Sequence, residues 1–313
     1  MRILITGGAG FIGSHVAERL VARGDDVLVI DNFETGRRDN LAAGDRLEIV
    51  EGSVTDEALM ARAFDGFRPE VVLHAAASYK DPDNHAGDAA TNALGSAITA
   101  RNCARLKVGR LVYLQTALCY GDPVEQPITL NHPIEPSKSS YAISKTAGEM
   151  YIALSGLDYV SFRLANAYGP RNLSGPLPTF YHRLTTGKPC FVMDTRRDFI
   201  FVDDMVEIIE KAIRGGGRRG AYHISTGKDF SIKELFDATV KALGIKLDRD
   251  VEVRPRSPDD VYTILLDPSK TLQDFGVVPG FPLEEGVRRT IDYYRRHGIA
   301  QTYTHLRVPD GKK

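Results

Sequence analysis

The chain is 313 residues long, with 40 basic and 41 acidic side chains and a formal net charge of −1. It can bury a large core, and it has no electrostatic footprint for nucleic acid or a membrane surface. Its three cysteines, Cys103, Cys119 and Cys190, are widely spaced and odd in number, which fits free thiols in a reducing, cytoplasmic compartment and gives no metal-ligand spacing.

The first segment, Arg2 to Thr6, is an apolar run entered directly from the N-terminus, and no apolar run approaches the roughly 18 residues of a membrane span. A glycine-rich turn follows, then helical spacing of apolar residues from Ser14 to Arg23 and a second apolar run from Asp26 to Ile30, closed by Asp31. Further runs at 47–51, 71–75, 110–115 and 159–163 alternate with helical patterns. Alternation of this kind predicts an α/β fold, a doubly wound parallel sheet over residues 1–165, with its crevice at the C-terminal ends of the strands. Past Arg163 the texture becomes dense in Gly, Pro and Asn, which predicts a smaller mixed C-terminal lobe over 166–300 and a frayed tail over 301–313. A helix over 203–214 is expected to pack back on the first unit. Two segments, Ala89 to Leu106 and Tyr141 to Ser155, are apolar on more than one face and are candidates for pairing two copies of the chain.

The strand, glycine turn and helix at the start have the context of a dinucleotide site. Gly7 suits the tight turn, Gly10 leaves room for a pyrophosphate, and Gly13 lets strand and helix approach, while the helix N-terminus faces the phosphates. A carboxylate at Asp31 can accept from ribose hydroxyls and would repel a 2′-phosphate, so the sequence favours NAD over NADP. Arg37 and Arg38 are the residues that would argue for NADP, and both read as solvated loop charges. Further on, Tyr141 and Lys145 stand four apart at helical spacing and share one face. A phenol ordinarily titrates near pH 10, and a neighbouring cation lowers that value. Lys145 together with a positively charged nicotinamide would make Tyr141 a usable base. Thr116, at the end of the strand over 110–115, can hold a substrate hydroxyl in line with it.

The motifs TGGAGFIG, HAAA at His74 to Ala77, Asn92 in TNALG, TALCYG at Thr116 to Gly121, YAISK, RLANAYGP at Arg163 to Pro170 and RDFIFVDD at Arg197 to Asp204 occur in order. Together they resemble the extended short-chain dehydrogenase/reductases, specifically the NAD-dependent epimerase/dehydratase group acting on nucleotide sugars. The resemblance implies a Rossmann-type sheet, a tightly held NAD and a Thr116, Tyr141 and Lys145 triad. It also implies a C-terminal lobe gripping a nucleoside diphosphate sugar, most often a UDP-sugar, and a homodimer formed through two helices. Cofactor contacts carried over this way fall on Phe11, Ile12, Asn32, Phe33, Gly36, Ser53, Val54, Ala75, Ala76, Ala77, Asn92 and Leu164, beside the glycines and Asp31. Asn166, Arg197 and Arg256 fall where the family meets the diphosphate, and Ile264 near a variable gate beside the sugar. Two departures concern the ligands: Gly175 stands where many epimerases carry Asn, and Ser53 replaces an Asp that meets adenine.

The resembling 4,6-dehydratases place Asp and Glu directly after the Thr, because elimination needs an acid and a base. Here those positions are Ala117 and Leu118. The decarboxylase branch also usually places a Glu in this stretch. This stretch therefore favours inversion at C4 through a 4-keto sugar, with hydride passed to NAD and returned; the alternative is a nucleotide-sugar dehydrogenase, dehydratase or 5-epimerase of the same fold.

Overall fold

The computed structural model describes residues 1–42, 44–256, 261–299 and 301–303. Its first half runs β1 (Arg2–Thr6), α1 (Phe11–Ala22), β2 (Asp26–Asp31), β3 (Leu47–Glu51), α2 (Glu57–Phe67), β4 (Val71–His74), α3 (His85–Asp88), α4 (Gly95–Leu106), β5 (Arg110–Thr116), α5 (Ser140–Leu154) and β6 (Tyr159–Leu164). The second half adds β7 (Asn166–Tyr168), α6 (Pro176–Thr185), β8 (Phe191–Met193), β9 (Arg196–Arg197), β10 (Phe199–Phe201), α7 (Val202–Ile213), β11 (Gly220–Ile224), β12 (Phe230–Ser231), α8 (Ile232–Leu243), β13 (Glu252–Arg254), α9 (Ser269–Phe275) and α10 (Leu283–His297).

Seven strands form one sheet in the order β11-β6-β5-β4-β1-β2-β3, and every pairing in it is parallel. A parallel sheet is covered on both faces, so its strands are apolar in both alternations. Ile3, Ile5, Val27, Val29, Val112 and Leu114 face one core, and Leu4, Leu28, Ile30, Leu111 and Tyr113 face the other. The strand order reverses between β1 and β4, which opens a crevice at their C-terminal ends.

The structure moves the boundary expected at residue 165. The seventh strand is β11, which lies beyond it and pairs with β6 from Gly220↔Val160 to Ile224↔Leu164. The reason is burial: Val160 and Phe162 are fully buried, and an apolar strand of this kind cannot be left at a bare edge. The expected return helix is α7. Its buried Glu210 takes Arg19 of α1 at 3.1 Å and Arg23, the C-cap residue of α1, at 2.5 Å. The segment expected as one helix from Ala89 contains a π-type turn, Ala89–Leu94, between α3 and α4. The described part of the tail is docked rather than frayed: Tyr303 forms a β-bridge with Ser174.

Candidate active site

The crevice is a cavity of about 670 Å³ that runs from the glycine turn, past Thr116, Tyr141 and Lys145, into the small lobe. At Gly7, φ is +69° and a Cβ would fall 2.6 Å from Ala76 N, so the turn crosses the loop leaving β4 with no room for a side chain. Gly10 caps α1 without a side-chain hydrogen bond, which leaves the first-turn N–H groups available to an anion. Asp31 is 7% exposed. Its Oδ2 accepts from Ala9 N at 2.9 Å and its Oδ1 from Phe33 N at 2.8 Å, so the carboxylate also fixes the glycine turn. Burial pushes its pKa up, against the pull of those two N–H groups. These groups fit a dinucleotide: a cradle without side chains, an uncapped helix start and a carboxylate with lone pairs to spare.

Of the expected cofactor residues, Gly7, Gly10, Phe11, Ile12, Gly13, Asp31, Asn32, Ser53, Val54, Ala75, Ala76, Ala77 and Leu164 line the cavity. Phe33, Gly36 and Asn92 are not among the residues that line it. A Cβ on Gly36 would fall 2.8 Å from Asp31 Oδ1. Asn92, in the π-type turn, accepts from Ser78 N at 2.8 Å and donates to Ser78 O and Ser144 Oγ, each at 3.0 Å. It thereby ties the loop after β4 to α5.

At the reactive end, Ser139 Oγ accepts from Ala142 N at 3.1 Å and caps α5. This places Tyr141 in the first turn and Lys145 one turn further on, both on the cavity. Thr116 ends β5, and its Oγ1 accepts from Leu118 N at 3.2 Å. Lys145 is 1% exposed, with Nζ 4.1 Å from the Tyr113 ring centroid, and Tyr113 OH donates to Lys145 O at 2.9 Å.

Burial dominates the titration of both groups. It pulls Lys145 from 10.5 to about 7, and it raises the Tyr141 phenol, with Tyr79 and Asp88 adding to the rise. The expected lowering joins Lys145 to a bound nicotinamide; in the chain alone burial dominates, because a low-dielectric site disfavours both charged forms. His74 is also buried and is held neutral, its pKa lowered to about 3. It bridges Thr6 Oγ1 at 2.6 Å and Ser96 Oγ at 2.9 Å. Because Ser96 Oγ donates to Asn92 O, Nε2 must be the protonated nitrogen.

The small lobe closes the other end. Asn166 lines the cavity and is held through its backbone N to Asp198 O at 2.9 Å. Arg197 lines it from β9, with Nη1 donating to Arg196 O at 2.7 Å and Val261 O at 3.0 Å. Ile264, 4% exposed, forms part of the wall. Arg256 is exposed, precedes residues outside the described set, and is not among the residues that line the cavity. Sequence reasoning missed the apolar far wall of Phe180, Phe191, Met193 and Leu235, and also Gln115, Ser174 and Tyr303. Phe191 and Met193 come from the three-residue β8, too short for a periodicity to show, whereas Phe180 on α6 and Leu235 on α8 lie on the buried faces of helices and read from the sequence only as core.

A family model described as the NAD dependent epimerase/dehydratase family matches residues 3–225. The crystal structure of the Bordetella bronchiseptica enzyme WbmH in complex with NAD+ is 50% identical, with a TM-score of 0.92 over 95% of this chain and 99% of that one. WbmG of the same organism, solved with NAD and UDP, is 45% identical with a TM-score of 0.91 and covers 99% of both chains. A UDP-glucose 4-epimerase of Mycolicibacterium smegmatis is 32% identical over 94% of this chain and 99% of its own length. dTDP-glucose 4,6-dehydratases are also among the relatives.

Proposed function

Since the chain belongs to the NAD dependent epimerase/dehydratase family, we propose that it is a nucleotide-sugar 4-epimerase that uses a retained NAD and a UDP-sugar. The observation that carries this reading is the distribution of carboxylates. Among the described residues lining the cavity, the carboxylates are Asp31 and Glu34, and Asp31 belongs to the dinucleotide end. Ala117 and Leu118 follow Thr116, and neither can carry a proton. Loss of water or abstraction of the C5 proton needs such a carrier, whereas inversion at C4 does not.

Bound NAD supplies the hydride acceptor and a positive charge beside Tyr141. Thr116 Oγ holds the O4 hydroxyl, and Tyr141 takes its proton and later returns it. The Lys145 ammonium, having the Tyr113 ring as its neighbour, is available to ligand oxygens. Burial raises the Tyr141 phenol in the chain alone, and the positive charge that NAD would supply acts against that rise. Asn166 and Arg197, both on the cavity, would anchor the diphosphate and leave the sugar free to turn.

The same reading makes the enzyme a homodimer. Ile143, Met150, Tyr151 and Leu154 form an exposed apolar stripe along α5, with exposed Leu94 on the adjacent π-type turn.

The test is turnover of a panel of UDP-, dTDP-, GDP-, CDP- and ADP-sugars followed by NMR in deuterium oxide. A C4-inverted UDP-sugar with no deuterium at C4 or C5 is the expected product. Deuterium at C5, or a dehydrated product, overturns the assignment.

A further inference from the structure

We propose that Gln115 is a ligand-positioning residue, whose side-chain Nε2 donates to a hydroxyl oxygen of the molecule bound at the reactive end of the cavity. That oxygen belongs either to the nicotinamide-side ribose or to the reacting sugar, and the inference rests on the functional reading above.

Gln115 precedes Thr116 on β5, is 2% exposed and lines the cavity. Its amide orientation is fixed by chemistry: Thr116 N donates to the side chain at 2.8 Å, and only the carbonyl oxygen can accept that proton. The nitrogen therefore lies at the other end. It is buried and has no acceptor among the described residues.

The surroundings explain why the protein itself offers none. The register partner on β6 is Arg163, which has donors only. Its guanidinium is committed to Glu149 Oε2 at 3.0 Å and Tyr120 OH at 2.8 Å. The Glu149 carboxylate is in turn taken by Arg163 and by Ser161 Oγ at 2.5 Å. One other buried side-chain atom among the described residues lacks a partner, Asn40 Oδ1, and Asn40 does not line the cavity. An unmade buried hydrogen bond carries a real penalty, and an apolar side chain of similar size would avoid it. An amide kept at this position is accounted for if the ligand supplies an oxygen. The same side chain grips the Thr116 backbone, so the donor is held in fixed relation to the threonine that would meet O4.

The test uses Gln115→Glu, which keeps the acceptor for Thr116 N–H and removes both donors, alongside Gln115→Met. A sugar oxygen as partner gives kcat/KM lowered by about tenfold with NAD(H) per chain at the wild-type level. A ribose oxygen as partner gives NAD(H) per chain lowered on purification, with activity recovered by added NAD. Wild-type levels of NAD(H), KM and kcat in Gln115→Glu overturn the proposal.

Should the variants not fold, wild-type protein selectively labelled with 15N-glutamine decides, with Gln126, Gln273 and Gln301 as internal references. The Gln115 side-chain amide should shift and exchange more slowly on addition of NAD or of UDP-sugar. An amide unmoved by either ligand, as for one bonded to water throughout, overturns it. A wild type that binds NAD and UDP but inverts no sugar overturns the function, and the amide measurement still decides Gln115.

Discussion

Tyr141 and Lys145 are set by the same buried environment, and each yields a separate expectation. Tyr141→Phe keeps the ring and the packing and removes the proton carrier. It should bind NAD and nucleotide sugar as the wild type does and lose on the order of 10² to 10⁴ in turnover, measured as kcat with saturating sugar. Lys145 has a signature in stability. Its folded-state pKa is depressed from 10.5 to about 7, so between those values the unfolded chain binds the proton that the folded chain has released. The sign follows: this group's contribution is fully present above the unfolded value and is lost as pH falls through about 7. In cofactor-free protein, the difference in unfolding free energy between wild type and Lys145→Met should therefore rise with pH from 7 to 10. A difference that stays flat, or falls, removes the case for a desolvated Lys145.

At the scale of elements, the contact between α5 and the π-type turn positions the helix that carries Tyr141 and Lys145, and Gly148 permits it. A Cβ at Gly148 would fall 2.5 Å from Asn92 O and 2.7 Å from both Ser96 Oγ and Tyr113 OH. Glycine to alanine inside a helix normally stabilises by about 1 kcal/mol. Here the overlap should win, costing about 1–3 kcal/mol and moving α5 away from Asn92. Gly148→Ala should lower Tm and NAD content, whereas Gly66→Ala, with nothing within 4 Å of its Cβ, should be neutral or slightly stabilising. Equal thermal shifts for the two would mean that the close approach does not matter.

This contact also marks how far the sequence could be read. The Tyr141 and Lys145 pair was legible because four residues are one helical turn, and β1 to β6 because buried parallel strands read as apolar runs. The π-type turn was not, since one extra residue in a turn leaves the apolar spacing almost unchanged. β11 was not placed in the main sheet, because pairing with β6 is a tertiary choice that no local pattern encodes. The dinucleotide end of the cavity was legible through Gly7, Gly13 and Asp31, whose constraints are backbone constraints. The far wall was not, because Phe191 and Met193 lie on a three-residue strand with no spacing to read and Phe180, on α6, reads only as a core residue, and Arg256 was assigned by likeness alone.

For the whole molecule, the open question of assembly turns on α5. Its inward face carries Ala142, Lys145, Thr146, Gly148, Glu149 and Ile152, all buried. Its outward face carries Ile143, Met150, Tyr151 and Leu154, which are 51, 66, 49 and 81% exposed. A helix already buried on one side and apolar on the other leaves a stripe to be covered, and a two-fold partner presenting the same stripe satisfies that with one self-complementary surface. The wild type should therefore give the mass of two chains at micromolar concentration in light scattering. Met150→Glu combined with Leu154→Glu puts like charges into the centre of that surface and should halve the mass. The glycine turn, Thr116, Tyr141, Lys145, Asn166 and Arg197 meet in the cavity of a single chain, so the separated chains should keep NAD and a large part of their turnover. A wild type that runs as a single chain would remove the dimer, and a doubly substituted protein that stays paired would place the interface on another surface.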